Sequence, residues 1–461
     1  MRAPGEIVLV SCYELGRPPA QLAAAVTALR RAGFAPGVLD LGVEPFDAAA
    51  QERLRAASLV AVATPMHTAL RLGIALARRL RRERPGLPLV FCGLYATLHA
   101  AALREEFGAT ALGGEWEPAL VTLVESVGAG AAATWVPSAP VVERVEMHQP
   151  ARDALPALAR YTRLVVNGEH RVAGAVEASR GCRHLCRHCP VPAVYGGRFF
   201  VVPAEIVLRD VATQVEGGAR HISFADADFL NGPRHALEIA RALHAAHPEV
   251  TFDFTSKVEH LLKHRDQLPE LAASGCLFVV TAVESLSEDV LRRLEKGHTG
   301  AQATDAMRLL KAAGIQPRPS LLPFTPWSTL AGFGALLAWA IEEDLVMNID
   351  PVQWAIRLLL PPGSLLLGEP SLAAVLRGFD TDALAWTWEH PDPRMDALAA
   401  TVHRIVEDAE ATGESHEATF ERVLRAADAA WSRRGEVRPV PEWVSAVPLR
   451  TPPRMTESWF C

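Results

Sequence analysis

The stretch EASRGCRHLCRHCPVPAVYGGRFF, residues 177–200, places Cys182, Cys186 and Cys189 close together, although the 461-residue chain contains only seven cysteines. Clustered cysteines in a reducing compartment bind metal or do redox chemistry more often than they form disulfides. The cluster follows an apolar run that is typical of a strand, so it lies on a strand-end loop. This stretch therefore predicts a metal centre at the carboxyl end of a strand.

Two kinds of metal centre are compatible with the three cysteines. A structural zinc site needs four protein ligands, and His184 or His188, both inside the cluster, could supply the fourth. A [4Fe–4S] cluster is usually held by four thiolates. Three thiolates would leave one iron without a protein ligand, and that iron could bind a substrate or cofactor.

Composition and charge limit the partners and the location of the protein. The formal net charge is -7 and the isoelectric point is about 6.2, so we expect neither a nucleic-acid partner nor a membrane surface. Glu6 and Glu14 flank the short apolar run near the N-terminus, which predicts a first strand and not a signal peptide. No run approaches the roughly 18 apolar residues of a membrane helix. We therefore predict a cytoplasmic protein.

The periodicity predicts an α/β fold in successive parts. Short apolar runs alternate with amphipathic helices over the first third, which indicates a doubly wound parallel sheet covered on both faces. A second α/β series has six β/α units, the last strand falling within residues 346–360, and predicts a partial barrel. The rest is helical and ends in a Pro-rich tail. The predicted domains are an α/β domain (1–135), a linker (136–171), a partial barrel (172–370) and a helical region with an extended tail (371–461).

The spacing Cys-x3-Cys-x2-Cys, placed after the first strand of the second series, resembles the signature of the radical S-adenosylmethionine (SAM) superfamily. The resemblance implies that Cys182, Cys186 and Cys189 hold a [4Fe–4S] cluster, whose open iron takes the amino and carboxyl groups of SAM for reductive cleavage. His188 stands where the family often has an aromatic residue near the adenine.

Two later segments resemble SAM-binding strand ends of the same superfamily. HISFADADF, residues 221–229, implies Asp226 as acceptor for the SAM ammonium, although Asp228 beside it could simply cap a helix. TAVESLSEDVLRRLEKGHT, residues 281–299, implies Glu284 and Ser285 at the SAM ribose or carboxylate. Lys296 ends the following helix, where helix capping is an equally good interpretation.

The N-terminal α/β domain, because it precedes such a barrel, resembles the cobalamin-binding fold. GGEWEPAL, residues 113–120, resembles that fold's closing turn, which implies that Gly113, Gly114 and Glu115 admit the nucleotide tail. The turn after the first strand, CYELGRPP, contains no His, so lower-axial ligation of cobalt by His is not expected. Cobalamin bound with its lower face free, or no cobalamin at all, both remain open.

The whole chain resembles the CUAEP/CCAEP-tail radical SAM proteins, some of which are selenoproteins. In that subgroup the tail runs from a Cys into a second Cys or selenocysteine, then Ala-Glu-Pro. The resemblance implies that Cys461 is the first member of a catalytic Cys–selenocysteine pair and that the chain is truncated at a selenocysteine codon.

The predicted function is reductive SAM cleavage, with cobalamin-dependent methyl transfer to an unactivated or soft centre such as a metalloid, selenium or sulfur. The expected partners are a small-molecule substrate and an electron donor such as flavodoxin or ferredoxin. The alternatives are radical rearrangement or hydrogen abstraction without methyl transfer, and a non-catalytic cobalamin or iron–sulfur carrier.

Overall fold

The computed structural model describes residues 1–128, 139–431 and 451–457. The chain divides into two compact units. The first unit comprises Met1–Arg163, Arg171–His184 and Pro190–Asp226, and the second comprises Leu164–His170, Leu185–Cys189 and Ala227–Cys461. The four-part domain division expected from the sequence stays a prediction.

The described residues form strands and helices that alternate along most of the chain. The strands are β1 (Ile7–Ser11), β2 (Gly37–Asp40), β3 (Leu59–Ala63), β4 (Leu89–Cys92), β5 (Thr110–Leu112), β6 (Arg163–Val166), β7 (Glu169–Val176), β8 (Ser179–Gly181), β9 (Phe199–Val201), β10 (His221–Phe224), β11 (Thr251–Ser256), β12 (Cys276–Glu284), β13 (Gln316–Leu321), β14 (Leu376–Asp380), β15 (Ala385–Trp388) and β16 (Arg454–Met455). The helices are α1 (Ala20–Arg31), α2 (Ala48–Ala56), α3 (His67–Glu83), α4 (Leu94–Leu98), α5 (Ala100–Phe107), α6 (Glu117–Gly128), α7 (Pro190–Tyr195), α8 (Ala204–Glu216), α9 (Pro233–Ala246), α10 (Val258–Lys263), α11 (Leu268–Ala273), α12 (Glu288–Arg293), α13 (Gly300–Ala312), α14 (Leu330–Glu342), α15 (Pro393–Thr412) and α16 (His416–Trp431).

The N-terminal sheet has the order β2-β1-β3-β4-β5, and all neighbouring strands in it are parallel. Every residue of β1, β3 and β4 is buried, as is typical of a parallel sheet covered on both faces, and Ser11 is the one polar residue in these three strands. Leu22 of α1 and Leu120 of α6 belong to the same core cluster as Ile7 of β1. The predicted parallel α/β sheet is confirmed.

In the first unit, a parallel strand pair leads into the cysteine stretch. β10 pairs with β7, with His221 opposite Ala173 and Phe224 opposite Val176. The chain then forms the short antiparallel ladder of β8 with β9, in which Ser179 faces Val201. The cysteines lie in the connection from β8 to α7, so both ends of that connection are anchored in regular structure.

In the second unit, β11 pairs with β12 and β12 with β13, all parallel. These strands confirm the expected second α/β series and bring Ser256 and Glu284 to the same, carboxyl edge of the sheet.

The predicted last strand, in residues 346–360, is wrong. This segment forms 3-10 turns at Val346–Asn348 and Pro351–Trp354, and a single bridge joins Phe324 to Arg357. At the end of β13, a side chain replaces the backbone partner that a neighbouring strand would have supplied. Leu321 N donates a hydrogen bond of 2.9 Å to Gln353 Oε1. Pro351 has no N–H to donate to a neighbouring strand.

The C-terminal region is helical as expected, with α15 and α16. The antiparallel hairpin of β14 and β15 precedes these helices and was not expected. In the tail, Arg454 and Met455 of β16 pair with Val165 and Leu164 of β6. No helix among the described residues is long and apolar enough to cross a membrane.

The Gly113–Gly114 turn after β5 is closed by the chain itself. Glu115 N donates to Val141 O at 2.7 Å, and Val141 N donates to Gly113 O at 3.0 Å. A Cβ on Gly113 would lie 1.7 Å from Thr97 Oγ1, and one on Gly114 would lie 2.0 Å from Val141 O. Packing within the chain is therefore sufficient to require glycine at both positions.

We expect Gly114→Ala to lower the free energy of unfolding by about 2–5 kcal/mol, since it combines left-handed backbone strain with a clash against backbone. Gly108→Ala is the matched control: its φ is also positive, +61°, but no atom lies within 4 Å of the added Cβ. The control should lose only about 1–2 kcal/mol. Urea unfolding of both variants measures the difference, and equal losses would contradict the steric role of Val141.

Candidate functional site

The three clustered cysteines lie in one connection, none of them in a disulfide bond. Cys182 and Cys186 are buried and Cys189 is half-buried. Cys182 N donates to Arg198 O at 3.1 Å, which continues the β8–β9 ladder into the connection. Cys189 N donates to Cys186 O at 3.2 Å, so the last two cysteines share a tight turn.

Residues 185–189 are fastened to the end of α12 in the second unit. Arg187 N donates to Leu294 O at 3.0 Å. The Arg187 guanidinium also pairs with Glu369 Oε2 at 2.8 Å, and Arg293 pairs with Glu369 Oε1 at 2.8 Å. One carboxylate thus bridges the cysteine connection and the helix end, so the turn at Cys186–Cys189 has little freedom to move.

A buried row of charged side chains lies beside this turn. His188 Nε2 is 3.4 Å from Glu284 Oε1, and Lys296 Nζ is 3.1 Å from the same oxygen. Burial by itself would raise the pKa of Glu284, but Lys296 and His188 outweigh it and hold the pKa at about 2. Burial lowers the pKa of His188, so its imidazole tends to be neutral.

Lys296 is the cation of this row, with 2% of its surface exposed. Burial lowers its pKa, but the nearby Glu284 and the Cys186 and Cys189 sulfurs outweigh burial and raise it. The helix ends at Arg293 with Leu294 as its C-cap, and Lys296 N donates to Leu291 O at 3.1 Å. The backbone of Lys296 therefore closes the helix end, while its side chain pairs with a carboxylate. Glu284 itself has a φ of +63°, which is strained for a residue with a side chain.

Asp226 and Ser285 occupy strand ends. Asp226 Oδ2 accepts from Ala178 N at 3.0 Å, and Asp226 Oδ1 accepts from the Ser179 hydroxyl, so this buried carboxylate holds the segment that leads into Cys182. Ser285 Oγ accepts from Ser287 N at 3.1 Å, at the turn between β12 and α12. Whether either side chain contacts SAM stays a prediction.

Asp228 does more than cap a helix. Its Oδ1 accepts from Leu230 N at 3.1 Å, which caps a 3-10 turn, and from Ser256 Oγ at 2.9 Å. His260 Nδ1 is 2.8 Å from its Oδ2. Asp228 therefore joins the 3-10 turn before α9 to the end of β11 in the second unit, a role that strand spacing alone did not indicate.

Glu115 lies in an ion-pair network of the first unit that sequence reasoning missed. The Arg180 guanidinium contacts Glu115 Oε2 at 3.0 Å, Glu117 Oε1 at 2.6 Å and Glu177 Oε2 at 3.0 Å. Tyr195 OH donates to Glu115 Oε1 at 3.1 Å. The sequence signal for this network was the presence of charged residues in EWE (115–117) and EASR (177–180), inside otherwise buried segments.

Gly113, Gly114 and Glu115 thus have partners within the chain, and their role toward a nucleotide tail stays a prediction. Cys461 lies outside the described residues.

Comparisons with known proteins agree with this geometry. Residues 176–329 match the Radical SAM superfamily. An uncharacterized methyltransferase of Pyrococcus horikoshii is 25% identical over 227 residues, which are 49% of this chain and 47% of that protein. The ribosomal protein uS12 methylthiotransferase RimO of Paracoccus denitrificans is 26% identical over 190 residues, 37% of this chain and 40% of that protein. The match thus spans less than half the length of these curated relatives.

Two solved structures share the fold. The cobalamin-dependent SAM radical enzyme OxsB, with aqua-cobalamin bound, superposes with a TM-score of 0.69 at 15% identity, covering 91% of this chain and 71% of that chain. The radical SAM methyltransferase TsrM from Kitasatospora setae, with cobalamin and a [4Fe–4S] cluster bound, gives a TM-score of 0.56 at 20% identity, covering 74% and 70%. Residues 176–329 of this chain therefore match the radical SAM domain, and the chain shares its fold with OxsB and TsrM.

We expect Lys296→Met to lower the free energy of unfolding by about 3–5 kcal/mol, because it leaves the buried Glu284 carboxylate without its counter-charge. The double variant Glu284→Gln, Lys296→Met removes both charges and should lose markedly less. Denaturant unfolding without added iron measures both. Equal losses would mean that packing, and not charge, is what Lys296 contributes.

Proposed function

We propose that this enzyme cleaves SAM reductively at a [4Fe–4S] cluster held by Cys182, Cys186 and Cys189. The observation that carries the proposal is the cysteine connection inside the matched domain, fastened to the end of α12 and flanked by the Glu284–Lys296 pair. The donor set fits the cluster, because three thiolates can bind three of its irons. The fourth iron is then left for the amino and carboxyl groups of SAM. When bound, the cluster supplies the electron for cleavage.

The residues around the cysteines have supporting roles in this proposal. Lys296, buried near Cys186 and Cys189, places a positive charge beside the thiolates and offsets part of their negative charge. Asp226 accepts the SAM ammonium, and Glu284 and Ser285 orient the ribose or carboxylate. Neutral His188 offers a flat ring for the adenine. The unusual backbone of Glu284 supports its assignment, since strained residues cluster at functional sites.

Cobalamin-dependent methyl transfer is the second part of the proposal, with residues 1–135 as the cobalamin domain. The support is the shared fold with OxsB and TsrM, whose structures contain bound cobalamin. Rings of Tyr95 and His99 stack 6.2 Å apart after β4, and His67 meets Tyr95 edge-on at 5.8 Å. These rings line the carboxyl edge of the N-terminal sheet, where open α/β sheets bind ligands. When bound, cobalamin supplies a carrier for a methyl group.

The remaining parts rest on the sequence resemblance. We propose a small-molecule substrate with a soft or unactivated acceptor, a flavodoxin- or ferredoxin-type electron donor and cytoplasmic location. Methyltransferases and methylthiotransferases among the relatives favour group transfer over rearrangement, which stays the alternative.

Replacing any one of Cys182, Cys186 and Cys189 by Ala should abolish the brown chromophore after anaerobic reconstitution and the formation of 5′-deoxyadenosine from SAM. Cys276→Ala is the matched control, because Cys276 is buried in β12 outside the cluster. Iron analysis, with circular dichroism to check folding, measures the outcome. A triple-Ala protein that still holds a full complement of iron would refute the assignment.

Asp226→Asn should weaken SAM binding roughly ten- to a hundredfold, since a hydrogen bond to a charged group contributes about 1.5–3 kcal/mol. Iron content should stay unchanged. Asp266→Asn, at an exposed position, is the control. Equilibrium dialysis of the reconstituted protein gives the affinities. Unchanged SAM affinity would restrict Asp226 to holding Ala178 and Ser179.

The cobalamin proposal has its own spectroscopic test. The reconstituted protein should retain cobalamin, and its Co(II) spectrum should lack the nitrogen hyperfine splitting of a His ligand. Splitting from imidazole nitrogen would contradict the predicted ligation. Failure to retain cobalamin would favour radical chemistry without methyl transfer.

A further inference from the structure

A cavity of about 360 Å³ lies within the first unit, beside the Arg180 network. Small side chains on one face of α1, at Ala20, Ala24 and Ala28, form one wall, and α8 forms another with Ile206 and Val207. Its volume is within the range of about 300–1,000 Å³ that is typical of small-molecule sites.

Glu117 lines the cavity and has an oxygen without a partner. The residue is 7% exposed, and its Oε1 takes the 2.6 Å contact from Arg180. Its Oε2 is buried, and no hydrogen-bond donor among the described residues reaches it. A buried acceptor without a donor is costly, and more so when it is charged, so the fold alone does not explain this oxygen.

The charges around the cavity are predominantly negative. Arg180 is one cation facing the three carboxylates Glu115, Glu117 and Glu177. Asp210 and Glu146 also line the cavity, and each has its own cation: Arg152 pairs with Asp210 at 2.7 Å, and Arg31 lies 3.9 Å from Glu146. Burial raises the pKa of Glu115, Arg180 opposes this rise, and Glu117 and Glu177 add to it.

We propose that this cavity binds a small organic cation, an ammonium group on a compact apolar body, with Glu117 Oε2 as its acceptor. The ammonium supplies both the missing hydrogen bond and a positive charge among the carboxylates. The apolar body packs on Ala24, Val121 and Ile206, which line the cavity. The proposal is independent of the cysteine cluster, and it excludes a phosphate-bearing ligand, which the carboxylates would repel.

Isothermal titration calorimetry of the full chain with phenethylamine tests the proposal, with neutral phenethyl alcohol and anionic hydrocinnamate as probes of the same shape. The amine should bind at least tenfold more tightly than either. Glu117→Gln should weaken amine binding roughly ten- to a hundredfold, the effect of losing a charge-assisted hydrogen bond. Glu125→Gln, the same change at an exposed position of α6, should leave binding unchanged.

Ala28→Leu keeps the test decisive if the Glu117 variant does not fold. Ala28 is only partly buried, so the larger side chain can be accommodated while filling the cavity and abolishing amine binding with Glu117 intact. Equal binding of amine and alcohol, or no binding at millimolar concentrations, would mean that water satisfies Glu117 and would overturn the proposal. Loss of amine binding on cobalamin loading would assign the cavity to the cobalamin and overturn it as well.

Discussion

The buried Arg180 guanidinium is the interaction on which the path of the chain into the cysteine connection depends. It binds carboxylates from the segment after β5 and from the end of β7, two segments about sixty residues apart in sequence. A buried ion pair of this kind gains little net stability, because desolvation offsets most of the attraction. Its main consequence is geometric. Any other arrangement of Ser179–Cys182 would leave the buried Arg180 charge unpaired, and such an arrangement is disfavoured because an unpaired buried charge is costly.

Asp226 acts on the same segment from the other side. Its carboxylate accepts hydrogen bonds from Ala178 and Ser179, immediately before Arg180. Gly181 then turns the chain with a φ of +77°, at a point where a Cβ would lie 2.4 Å from Arg198 O. The residues before Cys182 are therefore held by charge, by hydrogen bonds and by close packing, which limits how far the first thiol can move.

In the second unit, the Glu284–Lys296 pair and the Glu369 bridge hold the other two cysteines. A lysine that is 2% exposed stays charged there because Glu284 lies 3.1 Å away. The same carboxylate contacts His188, so one strained residue orients both a cation and a ring beside Cys186 and Cys189. Such pre-organisation suits a reaction in which charge changes at a buried centre, because little reorganisation is needed when it does.

The sequence by itself determined the layout of the fold and the position of the cysteine connection. Apolar runs such as Ile7–Ser11 and the Cys-x3-Cys-x2-Cys spacing are local signals, and they identified the parallel sheet and the cysteine connection. Three contacts were decided by tertiary structure alone. Gln353 accepts the backbone hydrogen bond that a last strand would have taken, Lys296 pairs with Glu284, and Arg180 pairs with Glu117. These contacts join residues far apart in the chain, and their partners are chosen by burial and the need to pair charge, which no local pattern records.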